Sequence, residues 1–230
     1  MSDLAVILPA AGRSVRFGRD KLAEPLGGRA VLLRSIDAFI ARPDVRLVVI
    51  ATSDSGRSWL EQQEGISEAV GAGRLVICAG GLTRAHSVRN ALHIIPADIE
   101  WVAVHDAARP MVSQGLIERT VAVARERGAA VPAMPVSLTV KQADGPLPAR
   151  VRQTLPRHTL WAMQTPQIMR RAELVEAFAT CPISLEQVTD DVQLLELAGR
   201  DVWLVPGEER NLKITTAADL KLAEMFLAES

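Results

Sequence analysis

LAVILPAAGRSVRFG, residues 4–18, sets an uninterrupted apolar run against a turn of small residues and a basic segment. Ala5 to Leu8 carry no polar alternation, which fits a strand covered on both faces rather than one half in water. The run feeds straight into Ala10, Ala11 and Gly12, and Arg13, Arg16, Arg19 and Lys21 follow closely. A strand that ends this way exposes backbone N–H groups above the carboxyl edge of a sheet, where phosphates bind. The stretch has neither the G-x-G-x-x-G of a dinucleotide loop nor the GK[ST] ending of a P-loop. A phosphate loop and a plain tight turn both remain open at this point.

Working outward, the pattern repeats. Val31 to Ile40 reads as a helix, Leu47 to Ala51 as a second strand and Leu75 to Cys78 as a third. Thr83 to Ile94 reads as a helix, Trp101 to Val104 as a strand, Gly115 to Arg127 as a helix and Ala130 to Met134 as a strand. Strand–helix repetition with continuous apolar strands predicts an α/β chain, a single Rossmann-like domain over residues 1–230 whose mostly parallel sheet is flanked by helices. The rhythm breaks after Pro135. SLTVK (137–141) and ARVRQ (149–153) flank a turn rich in Asp, Gly and Pro, which predicts a protruding β-hairpin arm over about 136–157. Helices at Arg171 to Phe178, Val188 to Leu197 and Ala217 to Leu227, and a strand at Val202 to Val205, close the chain.

Bulk properties narrow the function classes. The 230 residues are 48% hydrophobic and 23% charged, enough for a real core. A net charge of -1 gives no overall positive field for nucleic acid. Cys78 and Cys181 have no metal-ligand spacing and read as reduced, buried thiols. There is no signal-peptide pattern and no apolar run of bilayer length, so no membrane partner and a cytoplasmic location are expected.

The chemistry-bearing pieces fall just beyond strands. Arginine forks match phosphoryl oxygens, and a lysine such as Lys21 supplies a compact charge. In VHDAARP (104–110), Asp106 suits a magnesium–triphosphate complex, in which the ion takes few protein carboxylates. The plainer reading has Asp106 capping a helix or pairing with Arg109. His105 has no zinc partner and reads as structural. In GGLTRAHSVRN (80–90), Thr83 predicts a helix cap, and Arg84 and Ser87 share a face at i, i+3. Thr165 precedes Pro166 in LWAMQTPQ (160–167), which favours extended backbone. Thr189 is the expected N-cap of the next helix, with Asp190 and Asp191 in its first turn. Lys213 sits in a strand-like run, and Thr216 caps the last helix.

In order, PAAG…R…G…K (9–21), GG..R..SV (80–88), VHDAARP, PV..T.K (135–141), LW..QTPQ, TDD (189–191) and N.K.T (211–215) make the whole chain resemble the 2-C-methyl-D-erythritol 4-phosphate cytidylyltransferases. The resemblance implies CMP transfer from CTP to methylerythritol phosphate, with Mg²⁺ on the triphosphate and pyrophosphate released. It implies that Arg16 and Lys21 hold the phosphates and stabilise the transition state. Ala10, Ala11, Gly12, Gly81, Arg84, Ser87 and Ala107 would line the cytidine pocket, with Asp106 the magnesium and ribose-side residue. Thr139, Arg157 and Lys213 would position the acceptor phosphate, with Thr165, Thr189 and Asp191 nearby and Arg109 at the cleft border. Members are homodimers whose arm reaches the neighbouring site, so Thr139 and Arg157 would serve the partner.

The sequence departs from that family at Ser14, where a second glycine is common, with Val15 after it, and at Leu22, where glutamine is common. Leu138 and Pro156 also replace frequent acidic residues on the arm. The rival readings are a cytidylyltransferase for another polyol phosphate, such as ribitol 5-phosphate, and a non-catalytic nucleotide-binding protein. The second would have no need to keep Lys21, Asp106, Arg157 and Lys213 together.

Overall fold

The computed structural model describes residues 3–12, 17–18 and 20–229. In chain order its elements are β1 (Leu4–Pro9), β2 (Pro25–Leu26), β3 (Arg29–Ala30), α1 (Val31–Ile40), β4 (Val45–Thr52), α2 (Asp54–Glu61) and α3 (Ile66–Gly71). β5 (Leu75–Ala79), α4 (Arg84–Leu92), β6 (Trp101–Val104), α5 (Gln114–Arg127) and β7 (Ala129–Pro135) follow. The chain then forms β8 (Lys141–Ala143), β9 (Val151–Thr154), β10 (Trp161–Met163), β11 (Gln167–Arg170), α6 (Arg171–Ala179), α7 (Asp191–Leu197), β12 (Trp203–Pro206) and α8 (Ala217–Ala228).

The opening apolar run is a central strand. β1 pairs in parallel with β4 on one side and β6 on the other, and β4 pairs in parallel with β5. Its side chains feed two cores in alternation. Leu4, Val6 and Leu8 join one with α1, α5 and α8, and Ala5 and Ile7 join the other with α4, α6 and α7. Strands β4 and β6 divide in the same way. Burial on both faces is why the run has no polar residue, as expected of a helix-covered parallel sheet.

Beyond β6 the sheet turns antiparallel. β11 pairs with β6 and β7, β10 pairs with the far end of β7, and β12 returns parallel to β7. The order β5-β4-β1-β6 reverses the direction of winding beside β1. A crevice opens above the carboxyl ends of strands at such a reversal.

The hairpin arm is present, with its strands displaced from the expected segments. β8 and β9 pair antiparallel, and every residue of both is exposed. Lys141 Nζ donates to Thr154 Oγ1 at 2.6 Å, and Gln153 Nε2 to Gln142 Oε1 at 2.6 Å. Polar rungs replace a core there.

Two local expectations need correction. The N-cap of α7 is Asp190, whose side chain accepts from Gln193 N at 3.1 Å, while Thr189 lies one residue outside. Lys213 lies in a loop rather than a strand. Ile214 N–H is bonded to Ala108 O at 2.8 Å, so that loop crosses beside the end of β6 without joining the sheet. Thr83 and Thr216 cap their helices as expected. Cys78 is buried, Cys181 half-buried, and both are free thiols. Among the described residues no helix is long and apolar enough to cross a membrane.

Candidate active site

A cavity of about 220 Å³ sits above the carboxyl ends of β1, β5 and β6. Its wall includes Ala10, Ala11 and Gly12 after β1, Gly81 to Arg84 and Ser87 after β5, and Asp106 to Ala108 after β6. Lys21 and Lys213 also line it. Among the described residues three cationic side chains and one carboxylate therefore face the space, a balance suited to a polyanion.

The small residues are there because the loops touch. A Cβ on Gly80 would meet Ala11 Cβ at 2.2 Å, and one on Gly81 would meet His86 Cβ at 2.3 Å. Gly81 N–H donates to Ser87 Oγ at 2.9 Å, and that hydroxyl donates to Thr83 O at 3.0 Å. Ser87 thus braces the turn whose edge it shares with the cavity. Gly80→Ala is expected to cost about 1–3 kcal/mol through overpacking and to weaken nucleotide binding. Adding Ala11→Gly should restore both in thermal melts and titrations, because the clash is with that one methyl.

Asp106 is the electrostatic centre. Arg84 Nε donates to its Oδ1 at 3.1 Å, and Lys213 Nζ and Arg109 Nε approach Oδ2 at 3.0 and 3.4 Å. Burial pushes this carboxyl up, but Arg84, Lys213 and Arg109 outweigh it and hold the group well below the usual range. Asp106 is therefore ionised and a poor proton acceptor. Its backbone N–H donates to Thr165 Oγ1 at 3.0 Å.

Behind it, His105 is fully buried, and burial lowers its pKa to about 4. The neutral ring donates from Nε2 to Arg109 O at 3.0 Å and accepts at Nδ1 from Thr165 Oγ1 at 3.0 Å. That tautomer follows because a carbonyl can only accept. His105 is a fixed relay of hydrogen bonds with no proton to trade near neutral pH.

The basic loops are tied to one another. Lys21 Nζ donates to Ile214 O at 2.9 Å, which sets it next to Lys213. Asn211, fully buried, donates to Thr165 O at 2.9 Å and receives Arg109 Nη1 on its own carbonyl at 2.7 Å. Arg84 Nη1 reaches a second carboxylate, buried Asp191, at 2.7 Å.

The model of the 2-C-methyl-D-erythritol 4-phosphate cytidylyltransferases matches residues 4–229. The chain belongs to that family. The cytidylyltransferase of Solibacter usitatus is 38% identical, over 98% of this chain and 96% of its own length. That of Gloeobacter violaceus is 40% identical, over 96% and 95%. The crystal structure of the Thermus thermophilus cytidylyltransferase superposes with a TM-score of 0.78 at 36% identity, covering 98% of both chains.

Against the residues that family resemblance selects, the cavity gathers Ala10, Ala11, Gly12, Lys21, Gly81, Arg84, Ser87, Asp106, Ala107 and Lys213. Arg109, Thr165 and Asp191 lie behind this wall, buried and bonded to its parts. Thr189 is exposed and bonded to Gln193 Oε1. Thr139 and Arg157 are exposed on the arm side, with Arg157 Nη1 on Ser137 O at 2.5 Å, and they do not line the cavity. Arg16 lies outside the described residues, as do Arg13, Ser14, Val15 and Arg19.

Sequence reading did not single out Gln167 and Asn211, although both stood inside quoted motifs. Gln167 Oε1 accepts from Asp191 N and Val192 N at 2.9 and 3.1 Å, clamping the start of α7. Gln167, directly before Ile168 and Met169, offered the signal of a polar side chain at the edge of an apolar run; Asn211, between Arg210 and Leu212, offered none.

Proposed function

We propose that this chain, as a member of its family, transfers CMP from CTP to 2-C-methyl-D-erythritol 4-phosphate. The products are 4-diphosphocytidyl-2-C-methyl-D-erythritol and pyrophosphate. The observation that carries the reading is the cavity at the β1/β6 reversal, where among the described residues Lys21, Arg84 and Lys213 share the lining with one ionised carboxylate, Asp106.

An oxygen of the acceptor phosphate forms the new bond to the α-phosphorus of CTP, and the bond from that phosphorus to the β-bridging oxygen breaks. The electron pair leaves with pyrophosphate. The acceptor phosphate is already ionised near neutral pH, so the step needs no general base. Asp106, held ionised among cations, and neutral, buried His105 are consistent with that. Positioning and charge stabilisation then supply the rate. Lys21 and Arg16 take up charge developing on the phosphates. Lys213 and Arg157 align the acceptor phosphate, while the alanine, glycine and serine edge receives the cytidine.

Among the described residues no group of three or more His, Cys, Asp or Glu gathers as a metal site. One buried, ionised carboxylate at the wall fits Mg²⁺ arriving on a triphosphate, whose oxygens and water fill the other positions. Asp106 would hold it, and the ion would neutralise phosphate charge when bound.

In the same reading the chain works in the cytoplasm as a homodimer, and the arm carries Thr139 and Arg157 into the partner's cavity. Arg157→Ala is expected to raise KM for the sugar phosphate by about tenfold or more and leave KM for CTP unchanged. An effect confined to CTP contradicts the assignment. At sugar-phosphate concentrations well below KM, mixing Lys21→Ala with Arg157→Ala subunits should recover about a quarter of the wild-type rate, since half the dimers are mixed and one of their two sites is intact. No recovery excludes the crossing arm.

The decisive assay is pyrophosphate release with CTP and Mg²⁺. It should depend on methylerythritol phosphate and run far slower with ribitol 5-phosphate. CTP binding without release in that assay overturns the enzymatic reading.

A further inference from the structure

We infer that Asp191 is a positioning residue that acts through Arg84, holding its guanidinium between two carboxylates so that the group stays available to the nucleotide cavity. The inference rests on the reading of that cavity as the CTP site.

The start of α7 does not need the Asp191 side chain. Asp190 supplies the N-cap through Gln193 N at 3.1 Å. Gln167 Oε1 accepts the Asp191 and Val192 backbone N–H groups, and Gln167 Nε2 donates to Asp190 Oδ2 at 2.9 Å. The helix terminus is thus satisfied by backbone and neighbours.

The Asp191 carboxylate is 1% exposed. Its Oδ2 accepts Arg84 Nη1 at 2.7 Å, and its Oδ1 is buried with no hydrogen-bond partner among the described residues. Burial lifts this carboxyl above its ordinary range, only partly offset by Arg84, with Asp190 and Asp106 adding to the rise. A charge held at such cost, with half its acceptor capacity unused, is held for the one bond it makes.

That bond decides where Arg84 points. The guanidinium spans Asp106 Oδ1 through Nε and Asp191 Oδ2 through Nη1, and the two carboxylates come from different elements. Without the second, Asp106 is the carboxylate left to the fork among the described residues. It then collapses bidentately onto that carboxylate and leaves the cavity wall.

The test is a double-mutant cycle read by calorimetric CTP binding and by steady-state kinetics. Asp191→Asn keeps shape and backbone. It is expected to weaken CTP binding about tenfold, with a parallel rise in KM for CTP and KM for the sugar phosphate unchanged. In an Arg84→Gln background the same change should alter CTP affinity by less than about twofold.

Equal loss in both backgrounds overturns the inference. So does a rise in KM for the sugar phosphate alone, which would make Asp191 a contact of the acceptor. A fall in melting temperature with no change in CTP affinity also overturns it, because the role would then be structural. Failure of the wild-type protein to bind CTP refutes the reading of the cavity itself and is separate from these results.

Discussion

Lys21→Ala is expected to lower turnover by about 10²–10³-fold, equivalent to about 2.7–4 kcal/mol of transition-state stabilisation. The residue lines the cavity, and its ammonium is steered by the carbonyl of Ile214, next to Lys213. That bond fixes the stem and holds the ammonium at the wall of the cavity. Charge on the phosphates moves toward the leaving oxygen as the reaction proceeds, so a fixed cation there gains more from the transition state than from bound CTP. The loss should therefore fall mainly on kcat, with CTP binding by calorimetry changed far less. A variant with normal kcat and a raised KM would assign Lys21 to ground-state binding instead. Lys21→Arg should restore only part of the rate, since a planar fork does not replace a point charge.

The strands around this site were legible because burial on both faces demands unbroken apolar runs. WVAV at Trp101–Val104 and the α1 helix at Val31–Ile40 have the bounds their patterns imply. The elements that escaped had no such demand. The α2 segment DSGRSWLE buries only Leu60 and carries a glycine, so no apolar stripe marks it. WAM in β10 is exposed throughout; β11 is the exception, buried but short, with Ile168 and Met169 as its whole apolar run. The arm strands bury nothing, and their register shifts accordingly.

The site itself was legible in outline and not in wiring. Each loop announces itself as small or charged residues after a strand. Which of them face the cavity and which stand behind it depends on contacts far apart in sequence. Arg84 meets Asp191 across 107 positions, and Arg109 meets Asn211 across 102. No periodicity encodes such pairs. This is why the sequence does not reveal that Arg109, Thr165 and Asp191, grouped with the substrate residues by resemblance, are buried and bonded to parts of the wall.

Asp106→Asn should separate the two duties of its carboxylate. Three cations converge on it, with Arg109 and Asp106 both buried, and removing one partner of such a cluster costs about 3–5 kcal/mol. The lower end is expected. Arg84 keeps Asp191, Arg109 keeps the carbonyl of Asn211, and Lys213 is 40% exposed and can relax toward water. At about 2–4 °C per kcal/mol for a chain of this size, that is a melting shift of about 6–12 °C. Activity should fall further, by at least about 10²-fold, because a neutral amide gives a divalent ion no charge to bind. Adding Lys213→Met should move the melting temperature little, because Lys213 already relaxes toward water, and should leave turnover low. Recovery of turnover by excess Mg²⁺ alone would show that Asp106 merely tunes ion affinity. Wild-type turnover in Asp106→Asn would remove it from the reaction and leave it as the counter-charge that keeps three basic residues on one wall.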